Sequence, residues 1–254
     1  MLISISSLFF SSMRLSAMPD DTKRHMQPIA AYRALRALLK DPDKTEEVFI
    51  IIRAMSGNSL GNCYKQFRKT RVGKEILAEK RQLLSVLQDR TKLAGLSAES
   101  LGRRYLDFIE REGIYAKGLV DASDEAIPIS NPELRLYAER TRDMHDLWHV
   151  ITGYGRDTFG EACLLAFTYA QTRNRGVGII ALVGFFKLRK EIGSGVGRAM
   201  WQGYQAGRRA SWLPAQDWEK LLCLSIREVR RQLNIEEPTK YSTKFTEMRN
   251  LAAI

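Results

Sequence analysis

The stretch from Asn131 to Thr152, NPELRLYAERTRDMHDLWHVIT, decides how the rest of the chain is read. It opens with three helix-start signals in a row. Asn131 is a side-chain cap, Pro132 has the fixed φ that suits a first turn, and Glu133 puts negative charge beside the unpaired amides. From Leu134 onward, Tyr137, Thr141, Met144, Trp148 and Ile151 recur at helical spacing and form one mostly apolar stripe. The pattern predicts a single helix from Pro132 to about Thr152. His145 and His149 fall on the neighbouring stripe, with Ala138, Arg142 and Thr152.

The same period governs the chain on both sides. Pro28 begins a helix that ends near Lys40, ahead of Asp41-Pro42, and a second helix covers about Lys44 to Met55 before the turn-rich Ser56-Gly57-Asn58-Ser59. A longer helix is expected from about Gly73 to Lys92, with Ile76, Leu77, Leu83, Leu84 and Leu87 inward and Gly95 at its end. Ser97 is the expected cap of the next helix, which turns Leu101, Tyr105, Phe108 and Ile109 inward and stops at Gly113. Beyond the histidines, Gly153-Tyr154-Gly155 makes a tight turn, and Asp157 or Thr158 caps a helix bearing Glu161, Leu164, Leu165, Phe167 and Thr168. Almost no segment alternates with period two. The fold class that follows is all-α, a multi-helix bundle of about eight to ten helices without significant sheet. Residues 19–254 read as one domain with a soft division near 114–130.

Composition narrows the function classes. The 254 residues carry 40 Lys+Arg against 29 Asp+Glu, a formal charge of +11, which asks for an acidic partner. The basic residues come in short clusters with no zinc-finger spacing, RNP-like motif or paired recognition helix beside them, so nucleic acid is not expected. The 3 cysteines are widely spaced and exclude a disulfide framework. Residues 1–18 place their apolar run before the one basic residue, Arg14, the reverse of a secretory signal, and read as a leader or an overextended start. The apolar window Gly176–Phe186 is too short to span a bilayer and reads as a buried core helix or one wall of an apolar cavity.

The chemistry sits in His145-Asp146-x-x-His149. Residues four apart share a helix face, so both imidazoles can meet at one point, and Asp146 flanks the same face. An antiparallel helix after the tight turn brings Glu161 back toward them. Two imidazoles and a carboxylate with open positions suit zinc as a Lewis acid or non-haem iron(II), and the ligand types do not choose between them. A zincin protease has glutamate where Asp146 stands, and an HD-type phosphohydrolase needs a further upstream histidine, for which His25 is the only candidate.

Three blocks carry a resemblance. They are His145 to Glu161, with Val150-Ile151-Thr152-Gly153-Tyr154-Gly155-Arg156-Asp157 inside it; Leu96 to Leu119, around Ser100-Leu101-Gly102-Tyr105-Phe108; and Gly203 to Leu221, where a Gly-Arg turn precedes a Trp-Glu pair. From about Pro28 to Asn234 the chain resembles the ubiquinone biosynthesis family conventionally numbered four in the coenzyme Q set. That resemblance implies an all-helical metalloprotein acting on polyprenylated, benzoate-derived precursors. It would remove the ring carboxylate, and in an oxidative form replace it with hydroxyl. Carried over by position, His145, Asp146, His149 and Glu161 are the metal ligands and catalytic residues. The metal is divalent, zinc first, with iron, manganese and magnesium as alternatives.

Arg142, Arg156, Arg208 and Arg209 are candidate partners for the substrate's carboxylate and phenolic oxygen, against the ordinary reading of each as a surface ion pair. The implied partners are the polyprenylated quinone precursor lipid, other ubiquinone-biosynthesis enzymes, an anionic membrane surface and a second copy in a homodimer. The implied location is peripheral, on the inner face of a bacterial cytoplasmic membrane or the matrix face of the mitochondrial inner membrane. Two other classes compete: a non-catalytic lipid-binding scaffold for the biosynthetic complex, and an unrelated metal-dependent hydrolase.

Overall fold

The computed structural model describes residues 25–40, 45–113 and 129–252. The expected leader at 1–18 and all but the end of the expected joint at 114–130 lie outside the described residues. In chain order the helices are α1 (Pro28–Lys40), α2 (Thr45–Ser56), α3 (Ser59–Phe67), α4 (Arg71–Glu79), α5 (Leu83–Gln88), α6 (Arg90–Ala94), α7 (Leu101–Arg111) and α8 (Pro132–Asp143). They continue as α9 (His145–Thr152), α10 (Thr158–Thr172), α11 (Arg175–Ile192), α12 (Val196–Arg209), α13 (Trp218–Leu221), α14 (Ile226–Leu233) and α15 (Thr239–Ala252), with a 3-10 turn at Leu213–Ala215. The described residues contain no strand, only an isolated bridge between Ser100 and Ser225. The all-α expectation holds, with more helices than the eight to ten expected.

The surplus has local causes. The predicted helix over 73–92 is three helices: Lys80 takes the left-handed region at φ 50° and ends α4, while Asp89 leaves helical ψ and caps α6 by accepting from the Lys92 amide. Ile76, Leu83 and Leu87 are buried as expected, so the breaks redirect the apolar face without losing it. The predicted helix 132–152 is interrupted at Met144, and α3 follows directly on a turn with Gly57 at φ 49°. The cap of α7 is Ser100, not Ser97. Its hydroxyl accepts from the Arg103 amide, and Leu101 and Gly102 donate to the carbonyls of Leu224 and Leu222, which fixes where the helix begins.

The described residues group into two compact units. The first comprises 58–113, 129–151 and 212–233. Its core includes Tyr64, Phe67, Ile76, Ile129, Leu134, Tyr137 and Ala138, with the Phe67 and Tyr137 rings 4.9 Å apart. Asn131 caps α8 as predicted, accepting from the amides of Glu133 and Leu134. On α8, Arg140 is buried and forks onto Glu219, Nη1 donating to Oε1 at 2.6 Å and Nη2 to Oε2 at 2.9 Å. The neighbouring Trp218 is fully buried. The Trp-Glu pair singled out in the sequence thus anchors the helix that leads into the histidines.

The second unit comprises 26–40, 45–57, 152–211 and 234–252. Helices α10 and α12 pack backbone to backbone, because Gly203 and Gly207 present no side chain. A Cβ at 203 would lie 2.7 Å from the Cys163 carbonyl oxygen, and one at 207 would lie 2.5 Å from that of Phe167. Gln171 Nε2 donates to the Gly207 carbonyl at 2.6 Å across this contact. Asn174 caps α11 and also bonds Ser56 at the end of α2. The apolar run at 176–186 differs from its expected burial. Gly176, Val177, Ile180 and Ala181 face inward, whereas Leu182 and Phe186 are 55% and 63% exposed. No helix among the described residues is long and apolar enough to cross a membrane.

Candidate metal centre

His145 is the first residue of α9, and His149 stands one turn later. The Met144 interruption leaves the hydrogen-bond ladder running through it, since Met144 donates to the Arg140 carbonyl and Trp148 to that of Met144. His145 is 9% exposed and His149 1%. Their rings are 5.0 Å apart and edge-on, and the His149 ring stacks on Phe108 of α7 at 5.8 Å. Gly153, at φ 77°, turns the chain out of α9. Arg230 Nε donates to the Ile151 carbonyl at 2.7 Å and satisfies one of the acceptors left at the helix end.

Asp157 caps α10 by accepting from the amides of Phe159 and Gly160 through Oδ1, and Glu161 follows in the first turn, buried. One ligand atom from each of His145, His149 and Glu161 lies within 4.8 Å of the others. Tetrahedral zinc with bonds of about 2.0–2.2 Å sets its ligand atoms about 3.4 Å apart, so the group has the scale of a metal site. The donor types fit as well: two imidazoles and a carboxylate suit a divalent ion and leave coordination positions open.

Asp146 is not part of that three-residue group. It is 5% exposed, and its Oδ1 is buried with no hydrogen-bond partner among the described residues. Arg142 turns to the neighbouring carboxylate instead, donating from Nε and Nη2 to Oδ1 of Asp143 at 2.9 and 2.8 Å. Burial pushes the Asp143 carboxyl up to about 6 despite that guanidinium. Tyr105 is also buried; desolvation raises its phenol, and the charges of Asp146 and Asp143 raise it further, so it stays protonated.

Of the other candidate arginines, Arg156 is half-buried in the turn, its Nε without a hydrogen-bond partner among the described residues. Arg208 and Arg209 are exposed at the end of α12, where Arg209 pairs with Glu236 at 3.3 Å. Sequence reasoning placed Phe108 and Tyr105 in the core without linking them to the histidines. Nothing local signals that one ring packs on His149 while the other phenol feels Asp146.

Residues 21–239 match the family model of the coenzyme Q (ubiquinone) biosynthesis protein Coq4. Among curated relatives, the mitochondrial ubiquinone biosynthesis protein COQ4 of Yarrowia lipolytica is 29% identical over 68% of this chain and 65% of its own length. The mitochondrial COQ4 homolog of Aedes aegypti is 27% identical over 87% of each chain. In Clavispora lusitaniae the match spans 54% of the relative, so this chain covers less than two thirds of several of the proteins it resembles. A crystal structure from Nostoc punctiforme PCC 73102, described as a candidate ubiquinone biosynthesis protein, shares the fold with a TM-score of 0.61 at 20% identity, over 82% of this chain and 98% of that one.

Proposed function

We propose that this chain, which belongs to the Coq4 family of coenzyme Q (ubiquinone) biosynthesis proteins, removes the ring carboxylate from a polyprenylated, benzoate-derived precursor at a divalent metal held by His145, His149 and Glu161. The observation that carries the reading is the convergence of those three buried side chains within 4.8 Å. When bound, the metal supplies Lewis acidity toward the phenolic or carboxylate oxygen of the ring. The bond between the ring carbon and the carboxyl carbon breaks, carbon dioxide leaves with no net redox change, and the electron pair left on the ring takes a proton. Buried Asp146, on the same helix, serves as a further ligand or as the acid that orients an imidazole. Phe108 walls the His149 side with hydrocarbon and keeps water from that face.

The prenyl tail ties the substrate to a bilayer, so the protein must reach one. The second unit offers a suitable surface. The α11–α12 hairpin exposes Leu182, Phe186 and Trp201, interleaved with exposed Lys187, Arg189, Lys190 and Arg198. Apolar groups that enter an interface beside cations that meet acidic headgroups suit an anionic membrane. This reading places the protein peripherally, on the inner face of a cytoplasmic membrane or the matrix face of the mitochondrial inner membrane, among other enzymes of the pathway and as a homodimer.

The test is elemental analysis of the purified protein beside His149→Ala, with mass spectrometry of the product from a prenylated hydroxybenzoate. Wild type is expected to hold one divalent metal and to yield the decarboxylated ring, and His149→Ala to lose both together. A product carrying hydroxyl in place of hydrogen identifies the oxidative form, with dioxygen as co-reactant. Full turnover by a metal-free variant refutes the metal's role, and bound lipid without metal or turnover replaces the enzyme by a scaffold.

A further inference from the structure

The histidines stand on α9 and Glu161 on α10, and the chain passes from one helix to the other through the turn 153–157. Two glycines close it. A Cβ at Gly160 would lie 2.2 Å from the Gly155 carbonyl oxygen, and one at Gly155 would lie 2.6 Å from Asp157 Oδ2. The third constraint comes from the distant helix α15. Tyr241, 5% exposed, donates its hydroxyl to Asp157 Oδ2 at 2.6 Å and accepts from the Gly155 amide at 3.1 Å. Asp157 thus divides its carboxylate, Oδ1 capping the helix of Glu161 and Oδ2 held by the phenol. The Tyr241 ring packs against Tyr154 at 5.4 Å, Phe159 at 5.2 Å and Phe245 at 5.5 Å, which fixes its aim. Burial foremost, and then Asp157, holds this phenol well above its ordinary range, so it remains a donor at any working pH.

We infer that Tyr241 is a positioning residue for the metal centre, clamping the turn between the histidine helix and the Glu161 helix from a segment beyond the family-matched residues 21–239. The inference rests on the metal reading of His145, His149 and Glu161. Outer residues that orient ligands are typically worth 10–100-fold in metal affinity, and a hydroxyl acting through a cap and a turn belongs in that range.

Two variants separate positioning from packing. Tyr241→Phe keeps the ring and removes the hydroxyl, whereas Phe245→Leu keeps the hydroxyl and weakens the packing around it. Zinc(II) affinity is measured by chelator competition, cobalt(II) in the same protein is read by its visible ligand-field bands, and thermal midpoints are recorded alongside. Tyr241→Phe is expected to lose about tenfold or more in zinc affinity and to shift the cobalt bands, while Phe245→Leu lowers the thermal midpoint with affinity and bands unchanged. Wild-type affinity and spectrum in Tyr241→Phe overturn the inference and leave the metal site standing. A wild-type protein that binds neither ion overturns both. Equal losses of affinity in the two variants reduce Tyr241 to packing and overturn the positioning role.

Discussion

Truncating Glu219 to alanine removes the carboxylate that forks onto Arg140, and the geometry sets the size of the effect. Arg140 is 1% exposed, so water cannot replace the lost partner, and the Arg81 carbonyl at 3.1 Å accepts only one of its protons. Breaking a buried pair from one side costs about 3–5 kcal/mol, because a desolvated charge is left behind. At about 2–4 °C per kcal/mol for a chain of this size, the thermal midpoint should fall by roughly 6–20 °C. The exposed pair of Arg71 and Glu75, with side chains 79% and 34% accessible, is the internal control: Glu75→Ala should cost less than about 1 kcal/mol. Replacing both members of the buried pair, Arg140→Met with Glu219→Leu, should recover most of the loss, since no charge is then stranded. Circular dichroism during urea and thermal denaturation reads all four proteins. Glu219→Ala within about 1 kcal/mol of wild type, or a double variant no better than the single one, would refute the argument.

Two further outcomes follow from the same kind of accounting. Burial raises the carboxyl of Asp217, but hydrogen bonds and charge from Lys220 and Arg81 outweigh it and hold the group below its ordinary 3.8. Its stabilising contribution is therefore present above that value and lost as pH falls through the lower folded-state value. Asp217→Asn should be less stable than wild type at pH 7, with the gap narrowing as the pH is taken below about 3.8; a constant gap down to pH 2.5 would count against the pairing. For the hairpin surface, Phe186→Glu with Trp201→Glu should reduce co-flotation with phosphatidylserine-containing vesicles by about tenfold or more, and high salt should weaken the wild type. Undiminished flotation of the double variant removes that surface from membrane contact.

How far the sequence could be read depended on the separation of the interacting groups. Helix starts at Asn131 and Asp157 were legible because a cap and the amides it serves lie within three residues. The grouping of His145, His149 and Glu161 was legible for a related reason: one helical turn separates the histidines, and one short turn separates them from the helix of Glu161. The breaks at Lys80 and Asp89 were not, because the apolar spacing runs through both. Beside the first, Arg81 is held at 2.9 Å by Asp217, whose partnership has no trace near residue 81. The apolar run at 176–186 misled in the opposite sense. Periodicity measures how apolar a face is, not whether a neighbour covers it, and only the packing of α11 leaves Leu182 and Phe186 outside.

The metal group combines both cases. The candidate donors are local, so they could be singled out in advance, yet the side chains that pack on His149 and hold Asp157 are distant. Phe108 reaches His149 from α7, and Tyr241 reaches Asp157 across 84 positions. A motif of this kind can therefore report which donors a protein offers while remaining silent on how tightly they are held. Removing the Phe108 ring from α7 or the Tyr241 hydroxyl from α15 should accordingly lower metal affinity, read by chelator competition, while leaving every residue of the motif in place.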